Sequence, residues 1–429
     1  MLIFILFFLL LLLIGIPIAY CLGLVAFLGI ALLPGISMIT VVHRMFSGLN
    51  SFILLAVPLF MLAANLMNKG KISEKLIEFS LAIVGHIRGG LGQANVLVSM
   101  LFAGISGSSQ ADVGGIGKIL IPSMIEEGYS KETSVGVTAA SSVIGIIIPP
   151  SIPMVVYGAV TNASVGAMFL GGLVPGILIG VGQMIVVYFV AKKHNYPRHP
   201  LLSAKQFMHV FLESVPALIT PLILVGGVIS GLATPTEAAS LACIYALILG
   251  VFVFHTIHLK DLGPILVDTL KLSSVSLFAL ATANALGQLL SYYQVSTMLL
   301  AFFNGVGSRV LFLSFSLLLF LFLGTFMDAI PVIVLFVPII LPAALQLGIS
   351  PIHLGIITVI AMAIGQITPP YGLCLLLAGK IGNLSVEQSF KASVPYLLVI
   401  LGVLVLVAFC PAIALTVPKL IKPEWFATI

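Results

Sequence analysis

The sequence predicts an all-α polytopic membrane protein. Hydrophobic residues make up 60% of the 429 residues and charged residues only 7%, which excludes a soluble domain that must cover its surface with polar groups. With about 20 residues per spanning helix, the chain has room for about 10 to 14 spans and hairpins. Two apolar regions are broken at membrane depth by small, hydroxylated, acidic and proline residues. Non-helical backbone at that depth must be buried in protein or line a wet cavity.

The N-terminal apolar stretch, residues 1–33, is expected to be a retained span. It has no basic start and no small-residue cleavage site, so it does not resemble a removable signal peptide. Two structures are compatible with this stretch: one long span, or a span and a half with a break around Gly15 to Pro17. Residues 38–50, with His43 and Arg44, are expected at the membrane interface. We interpret residues 1–45 as a scaffold segment.

The rest of the chain is expected to divide into four segments. Residues 46–176 form a first repeat with a broken hairpin at about 95–125, and residues 265–396 form a second repeat with a hairpin at about 310–345. Between them, residues 177–264 supply a connecting loop and scaffold spans. Residues 397–429 supply a C-terminal span and tail. The basic cluster within residues 192–205 is typical of a cytoplasmic loop.

An internal repeat is the basis of this division. Asp112, the pair Pro149–Pro150 and the pair Ser164–Val165 each have a counterpart about 220 residues later. Shared membrane composition does not explain why these polar and proline residues recur in one order. The residues do not show whether the two copies are parallel or inverted.

Each proline pair interrupts the helix that precedes it. Proline lacks a backbone N–H and disfavours helical geometry in the residue before it, so carbonyls upstream of Pro149 and Pro369 lose their helical partners. A sodium ion can replace those partners, because hard cations bind carbonyl and hydroxyl oxygens. Either break alone is equally compatible with a kinked helix, but two matched breaks favour an ion site. Hydroxyls at the same depth are on Ser106, Ser108, Ser109, Ser141, Ser142, Thr325 and Thr368.

Asp112 and Asp328 are intramembrane acids, which are costly and usually face the protein interior. They are candidates for ion coordination or for carrying a proton. The alternative, which the local pattern favours, is that each carboxylate caps a helix N-terminus after a turn of small residues. Glu237, in a Thr-Pro-Thr-Glu sequence, has the same ambiguity.

Soluble-enzyme and nucleic-acid functions are not indicated. The sequence around Gly117–Lys118 departs from a phosphate-binding loop, because Asp112 replaces the first glycine and Ile119 the final hydroxyl residue. The net charge of +5 is spread over loops, which suits lipid headgroups better than nucleic acid. The isolated cysteines are expected to be buried, inert thiols.

The chain resembles the large membrane subunit (M subunit, DctM-like) of the tripartite ATP-independent periplasmic (TRAP) transporters, with the sialic-acid branch as a candidate. The resemblance covers essentially the whole chain. It is carried by residues 104–112, 148–153, 171–176, 234–238 and 365–370. It implies an elevator-type ion-transporter fold with two inverted repeats, each with a re-entrant helical hairpin, in the bacterial inner membrane. It also implies that the protein is a sodium-coupled transporter and not an enzyme.

The resemblance also implies site residues and two or more coupling sodium ions. The first sodium site would comprise Ser106, Ser108, Ser109, Asp112, Gly145 and Pro149. The second would comprise Gly324, Thr325, Asp328, Gly365, Thr368 and Pro369. The substrate would lie near Ser108, Ser151, Thr325 and Tyr371.

The implied substrate is an organic anion, with sialic acid or a C4-dicarboxylate expected. The implied partners are a small four-helix membrane subunit (Q type), expected as a separate chain in a heterodimer, and a periplasmic substrate-binding protein (P type) that docks transiently. Besides these, the chain is expected to contact the lipid bilayer and no nucleic acid. Two alternatives stay open: a proton-coupled carboxylate carrier that acts without a binding protein, and a non-transporting membrane scaffold.

Overall fold

The computed structural model describes residues 2–426, and every regular element among them is helical. Seven of the described helical segments are long and apolar enough to cross a membrane, and shorter apolar helices lie between them. The expected all-α polytopic membrane fold is confirmed. The first residue of the N-terminal segment and residues 427–429 of the C-terminal tail lie outside the described residues.

The N-terminal stretch is broken, as the second of the two alternatives predicted. Gly15 has a positive φ of 86° and Pro17 directly precedes the second helix, so the chain turns between the two. A 3₁₀ turn at Phe52–Leu55 leads into α4. The first five helices are α1 (Leu2–Leu13), α2 (Ile18–Ala31), α3 (Ile39–Leu49), α4 (Ala56–Lys69) and α5 (Ile72–Val84).

A first hairpin, a broken helix and a long helix follow. The hairpin comprises α6 (Gly90–Ser106), α7 (Ser109–Asp112), a π-helical turn (Val113–Gly117) and α8 (Lys118–Glu126). The broken helix comprises α9 (Lys131–Ser142), a 3₁₀ turn (Val143–Ile146) and, after the Pro149–Pro150 pair, α10 (Ile152–Thr161). The long helix is α11 (Val165–His194).

The central segment forms two helices that end in π-helical turns and one very long helix. These are α12 (Ala204–Pro221) with Leu222–Gly226 and the short α13 (Gly227–Ser230), then α14 (Pro235–Ile248) with Leu249–Val253, then α15 (Leu259–Tyr292). The second half continues with α16 (Val295–Val306), α17 (Arg309–Gly324), α18 (Ala329–Gln346), α19 (Pro351–Gly365), α20 (Leu373–Gly382), α21 (Val386–Phe409), α22 (Ala412–Ile421) and a 3₁₀ turn (Pro423–Phe426).

The same order of elements therefore occurs twice: a short helix, a hairpin, a helix broken at a proline pair and a long helix. The acids, however, are not in equivalent positions. Asp328 directly precedes α18, as Ser108 precedes α7, whereas Asp112 is the last residue of α7. The pairing of Asp112 with Asp328 is therefore wrong by about one helical turn.

The two halves pack into each other around the broken helices. Helix α9 of the first half packs against α20 and α21 of the second, and α10 packs against α18. Helix α15 packs against α2, α3 and α4 and also against α18 of this core, and α14 packs against α4. The halves approach each other closely at Gly136 of α9, where an added Cβ would lie 2.5 Å from the carbonyl oxygen of Ala392 in α21.

Gly136→Ala is expected to destabilise the protein, because the new methyl group would push α9 and α21 apart. The cost of such overpacking is about 1–3 kcal/mol. Gly402→Ala in α21 is the matched control, since an added Cβ there meets nothing within 4 Å. Thermal unfolding in detergent should show a lower midpoint for Gly136→Ala and an unchanged or higher one for Gly402→Ala. Equal midpoints for both variants would contradict the close packing of the two halves.

Candidate functional site

The tips of the two hairpins meet at a narrow cleft in the middle of the protein. The space between atoms in the cleft amounts to about 280 Å³, which counts the solvent-filled mouth as well as the narrow interior. Both hairpin tips, the broken helices and the scaffold helices α4 and α15 contribute to its wall. Its lining residues are Met61, Gly107, Ser108, Gln110, Ile146, Ile152, Pro153, Ser276, Asp328, Ala329, Ile330 and Gln366.

The first hairpin tip is held against the first proline break. Gly107 has a positive φ of 60°, which lets the chain turn sharply after α6. Its carbonyl accepts a hydrogen bond from the backbone N–H of Ile152 at 3.2 Å. Ser108 is extended, and its hydroxyl accepts from the backbone N–H of Ala111 at 3.4 Å, which starts α7.

Behind this tip lies a buried carboxylate with an unsatisfied oxygen. Asp112 is only 1% exposed, and its Oδ1 accepts a hydrogen bond from the Ser106 hydroxyl. Its Oδ2 and the buried hydroxyl of Ser109 have no hydrogen-bond partner among the described residues. An added Cβ at Gly145 would overlap this carboxylate, so the 3₁₀ turn presses directly on it.

A cation fits these residues. An unpaired buried carboxylate is costly, and a bound positive charge would offset that cost. Asp112 and Ser109 offer oxygen ligands, which are the ligands that hard cations prefer. The interpretation of Asp112 as a helix cap is wrong, because Ser108 caps α7 and Asp112 lies at the other end of that helix.

The other two acids differ from Asp112 in their helical positions. Asp328 does precede α18, but its side chain makes no capping hydrogen bond; instead its Oδ1 accepts from Gln366 Nε2 at 3.2 Å. Glu237 belongs to a capping box with Thr234 at the start of α14, so the helix-start interpretation is confirmed for Glu237.

The residues of the expected second sodium site lie together, but their hydroxyls are engaged. The Thr325 hydroxyl donates to the Phe322 carbonyl at 2.7 Å, and the Thr368 hydroxyl donates to the Ile364 carbonyl at 2.8 Å. An added Cβ on Gly365 would overlap the backbone of Gly324, so α17 and α19 touch there. Pro369 belongs to the adjoining break, and its bond to Pro370 is cis, like Pro149–Pro150.

Of the four expected substrate residues, only Ser108 lines the cleft. Ser151 is buried, and its hydroxyl donates to the Ile146 carbonyl at 2.6 Å. The Thr325 carbonyl accepts from the backbone N–H of Tyr371 at 3.0 Å. Tyr371 borders a second opening beside the break between α1 and α2, together with Leu12.

Sequence reasoning missed three polar residues of the site: Gln110, Gln366 and Cys374. Gln110 and Gln366 line the cleft, and the Cys374 thiol donates to Gln366 Oε1 at 3.3 Å. In the sequence, the signal that could have identified the two glutamines is their position, since each lies next to a predicted break in a membrane helix. The expectation that all cysteines are buried is wrong for Cys410, which is exposed at the end of α21.

A family model described as "Tripartite ATP-independent periplasmic transporter, DctM component" matches residues 4–413. The chain belongs to this family. As a DctM-family member it is a multi-pass protein of the bacterial inner membrane, and it is a component of a transporter and not an enzyme.

Full-length DctM relatives carry different substrate names. The chain is 37% identical to "Sialic acid TRAP transporter large permease protein SiaM" of Vibrio cholerae, over 95% of each chain. It is 38% identical to "C4-dicarboxylate TRAP transporter large permease protein DctM" of Pseudomonas aeruginosa, over 93% of each chain. It is 37% identical to "Isethionate TRAP transporter permease protein DctMQ" of Oleidesulfovibrio alaskensis, covering 95% of this chain and 64% of that one.

Two solved transporter structures share the fold of this DctM-family chain. The YdaH transporter of Alcanivorax borkumensis matches with a TM-score of 0.60 at 16% identity, over 95% of this chain and 97% of that one. MtrF of Neisseria gonorrhoeae, described as an antimetabolite efflux pump, matches with a TM-score of 0.61 at 12% identity, over 94% of each chain. At these identities the likeness extends to the fold alone.

Proposed function

We propose that this chain is the transport subunit of a sodium-coupled, binding-protein-dependent secondary transporter that imports an organic anion. The observation that carries the proposal is the pair of unpartnered oxygens, Asp112 Oδ2 and Ser109 Oγ, behind the tip that forms one wall of the cleft. A cation held there lies next to the substrate cleft, so binding of the ion and of an anion would reinforce each other.

The proposed substrate class rests on the names of the relatives, and the lining of the cleft limits how such a substrate could be bound. No lysine or arginine is among the cleft-lining residues, and Asp328 is the acid there. An anion would therefore bind through hydroxyls, side-chain amides, the N-terminus of α18 and the nearby sodium ion. Relatives are named for sialic acid, C4-dicarboxylates and isethionate, all of them small organic anions. A carboxylate, either sialic acid or a C4-dicarboxylate, is our proposed substrate.

A second sodium ion is proposed beside Asp328, Thr325 and Thr368, where the second hairpin meets the second proline break. Movement of the interlocked hairpins and broken helices against the scaffold around α15 would carry the cleft across the membrane as an elevator. Family membership supports this mechanism.

The proposed partners are a small Q-type membrane subunit and a P-type binding protein. A cleft without fixed positive charge is expected to bind a free anion weakly. A binding protein that docks on the outer face raises the effective concentration of the substrate at the cleft. Such docking is expected to be transient, with a small interface.

Uptake by proteoliposomes tests the proposal. Vesicles containing this chain and its small subunit, with the binding protein added outside, are expected to import radiolabelled sialic acid or succinate only with a sodium gradient. Replacing sodium with choline should stop uptake, and so should leaving out the binding protein. Uptake that persists in choline and follows a proton gradient would identify a proton-coupled carrier instead. Equal uptake without the binding protein would refute the three-component arrangement.

The two sodium sites are expected to differ in their dependence on hydroxyls. Ser109→Ala removes a free oxygen beside Asp112 and should raise the half-maximal sodium concentration about tenfold, the loss of one charge-assisted contact. Thr368→Val removes a hydroxyl that already donates to the Ile364 carbonyl, so its effect should be smaller. Sodium titrations of uptake by the two variants make the comparison. An unchanged sodium dependence in both would refute the site assignment.

A further inference from the structure

A polar chain of contacts runs between the two hairpins through Gln366. This side chain is only 4% exposed, and both ends of its amide are engaged. Gln366 Nε2 donates to Asp328 Oδ1 at 3.2 Å, and Gln366 Oε1 accepts from the Cys374 thiol at 3.3 Å. The Gln366 carbonyl also accepts from the backbone N–H of Cys374 at 3.0 Å.

The direction of these hydrogen bonds is set by Asp328. An ionised carboxylate only accepts hydrogen bonds, so the amide of Gln366 must present its nitrogen to it. The amide oxygen then faces Cys374, and the thiol must donate. A change in the charge or position of the Asp328 carboxylate can therefore reorient the Gln366 amide and weaken the hydrogen bond that the Cys374 thiol donates to it.

The Cys374 thiol also borders the cation site behind the first hairpin tip. Helix α20, which carries Cys374, packs against α7, and the thiol lies within electrostatic range of Asp112 and of the hydroxyls of Ser109 and Ser142. Among the described residues, the Ser109 hydroxyl has no hydrogen-bond partner. The Cys374 thiol and this buried Ser109 hydroxyl therefore belong to two helices that pack against each other.

We propose that Gln366 and Cys374 are positioning residues that couple the cation site around Asp112 to the Asp328 carboxylate in the cleft. This inference rests on the proposed sodium coupling and adds a physical route for it. Occupation of the cleft changes the hydrogen bonds of Asp328. The side-chain amide of Gln366 and the thiol of Cys374 transmit this change to the cation site that contains Ser109. By linkage, a sodium ion near Asp112 has the reciprocal effect on the cleft.

The equivalent position in the first half cannot form this hydrogen-bonded link. Ile146 lies three residues before its proline pair, as Gln366 does in the second half, and isoleucine has no polar side-chain atom. Coupling therefore runs from the second proline break to the first hairpin. The asymmetry makes Gln366 and Cys374 the residues to test.

Sodium alone is the probe. The purified full chain is unfolded thermally at increasing sodium concentrations, because a ligand that binds the folded state raises the midpoint and so reports its affinity. Asp328→Asn is made in the wild-type, Cys374→Val, Cys374→Ser and Cys243→Val backgrounds. Cys243 is a matched buried thiol that donates to the Leu59 carbonyl at 3.1 Å in the scaffold.

In the wild-type and Cys243→Val backgrounds, Asp328→Asn should shift the apparent sodium affinity about fivefold or more. Because Asp328 is also placed beside the second sodium ion, part of this shift remains in every background. In the Cys374→Val background the shift should be at least about twofold smaller than in the wild type. Cys374→Ser keeps a hydrogen-bond donor and should restore the shift. Gln366→Leu removes the amide that contacts Asp328 and should behave like Cys374→Val. It replaces Cys374→Val in the test if the Cys374→Val protein does not fold.

An undiminished shift in Cys374→Val or Gln366→Leu, with sodium stabilisation intact, would overturn this inference and leave the proposed function standing. A loss of the shift in Cys374→Ser equal to that in Cys374→Val would also overturn it, since packing and not hydrogen bonding would then be responsible. Absence of any sodium stabilisation in the wild type would overturn the proposed sodium coupling together with the inference.

Discussion

Asp112→Asn is expected to abolish sodium-dependent uptake at ordinary sodium concentrations. The variant keeps the size of the side chain but removes the charge of a carboxylate whose Oδ2 has no hydrogen-bond partner in the part of the chain that the structure describes. Loss of a buried charge-assisted contact is worth about 3 kcal/mol, which corresponds to about a hundredfold higher half-maximal sodium concentration. Sodium titration of uptake in proteoliposomes, together with sodium-dependent thermal stabilisation, measures the effect.

Asp268→Asn is the control for the loss of a negative charge. Asp268 lies on α15 with its side chain 68% exposed, and it forms only a loose ion pair with Lys271 at 3.8 Å. Exposed pairs of this kind contribute little, so its sodium dependence should match the wild type. Wild-type sodium affinity in Asp112→Asn would remove the first sodium site from the mechanism.

Gly145→Ala is expected to have the second-largest effect. The added methyl group would overlap the Asp112 carboxylate, and the 3₁₀ turn that carries Gly145 is itself fully packed. Relief requires either the turn or the carboxylate to move, at a cost of about 1–3 kcal/mol. The half-maximal sodium concentration should therefore rise by about tenfold or more, as measured by sodium titration of uptake.

Gly287→Ala on α15 controls for the glycine-to-alanine change, because an added Cβ there meets nothing within 4 Å. This variant should take up substrate with the sodium dependence of the wild type. If Gly145→Ala lowers the unfolding midpoint but leaves the sodium dependence unchanged, the contact of Gly145 with Asp112 is structural and does not shape the ion site.

Much of the fold could be predicted from the sequence, because composition and helix breaking are local properties. Long apolar runs with 7% charged residues require membrane-spanning helices. The turn at Gly107 and the proline pairs at Pro149 and Pro369 end helices through their own backbone chemistry, whatever surrounds them. The stretches at about 95–125 and 310–345, where the sequence predicts hairpins, contain in the structure the helix pairs α6 with α8 and α17 with α18.

The roles of the acids depended on the tertiary structure. The pattern of small residues before an acid is the same for a helix cap and for a buried ligand, so sequence reasoning preferred the cap for Asp112. One helical turn separates the two outcomes: Ser108 begins α7, and Asp112 at its far end points against Gly145, a residue of another helix break. Tertiary packing decides at which residue the helix begins and therefore which side chain meets the neighbouring break.

The sequence by itself determined that this is a polytopic membrane protein with two broken-helix regions, and its motifs identified the TRAP family. Only the tertiary structure decided which polar atoms meet. Asp328 contacts Gln366, and Gln366 contacts Cys374, because α18, α19 and α20 converge where the second hairpin meets the second proline break. Such contacts depend on how the helices cross, and the spacing of residues along a single chain does not specify that geometry.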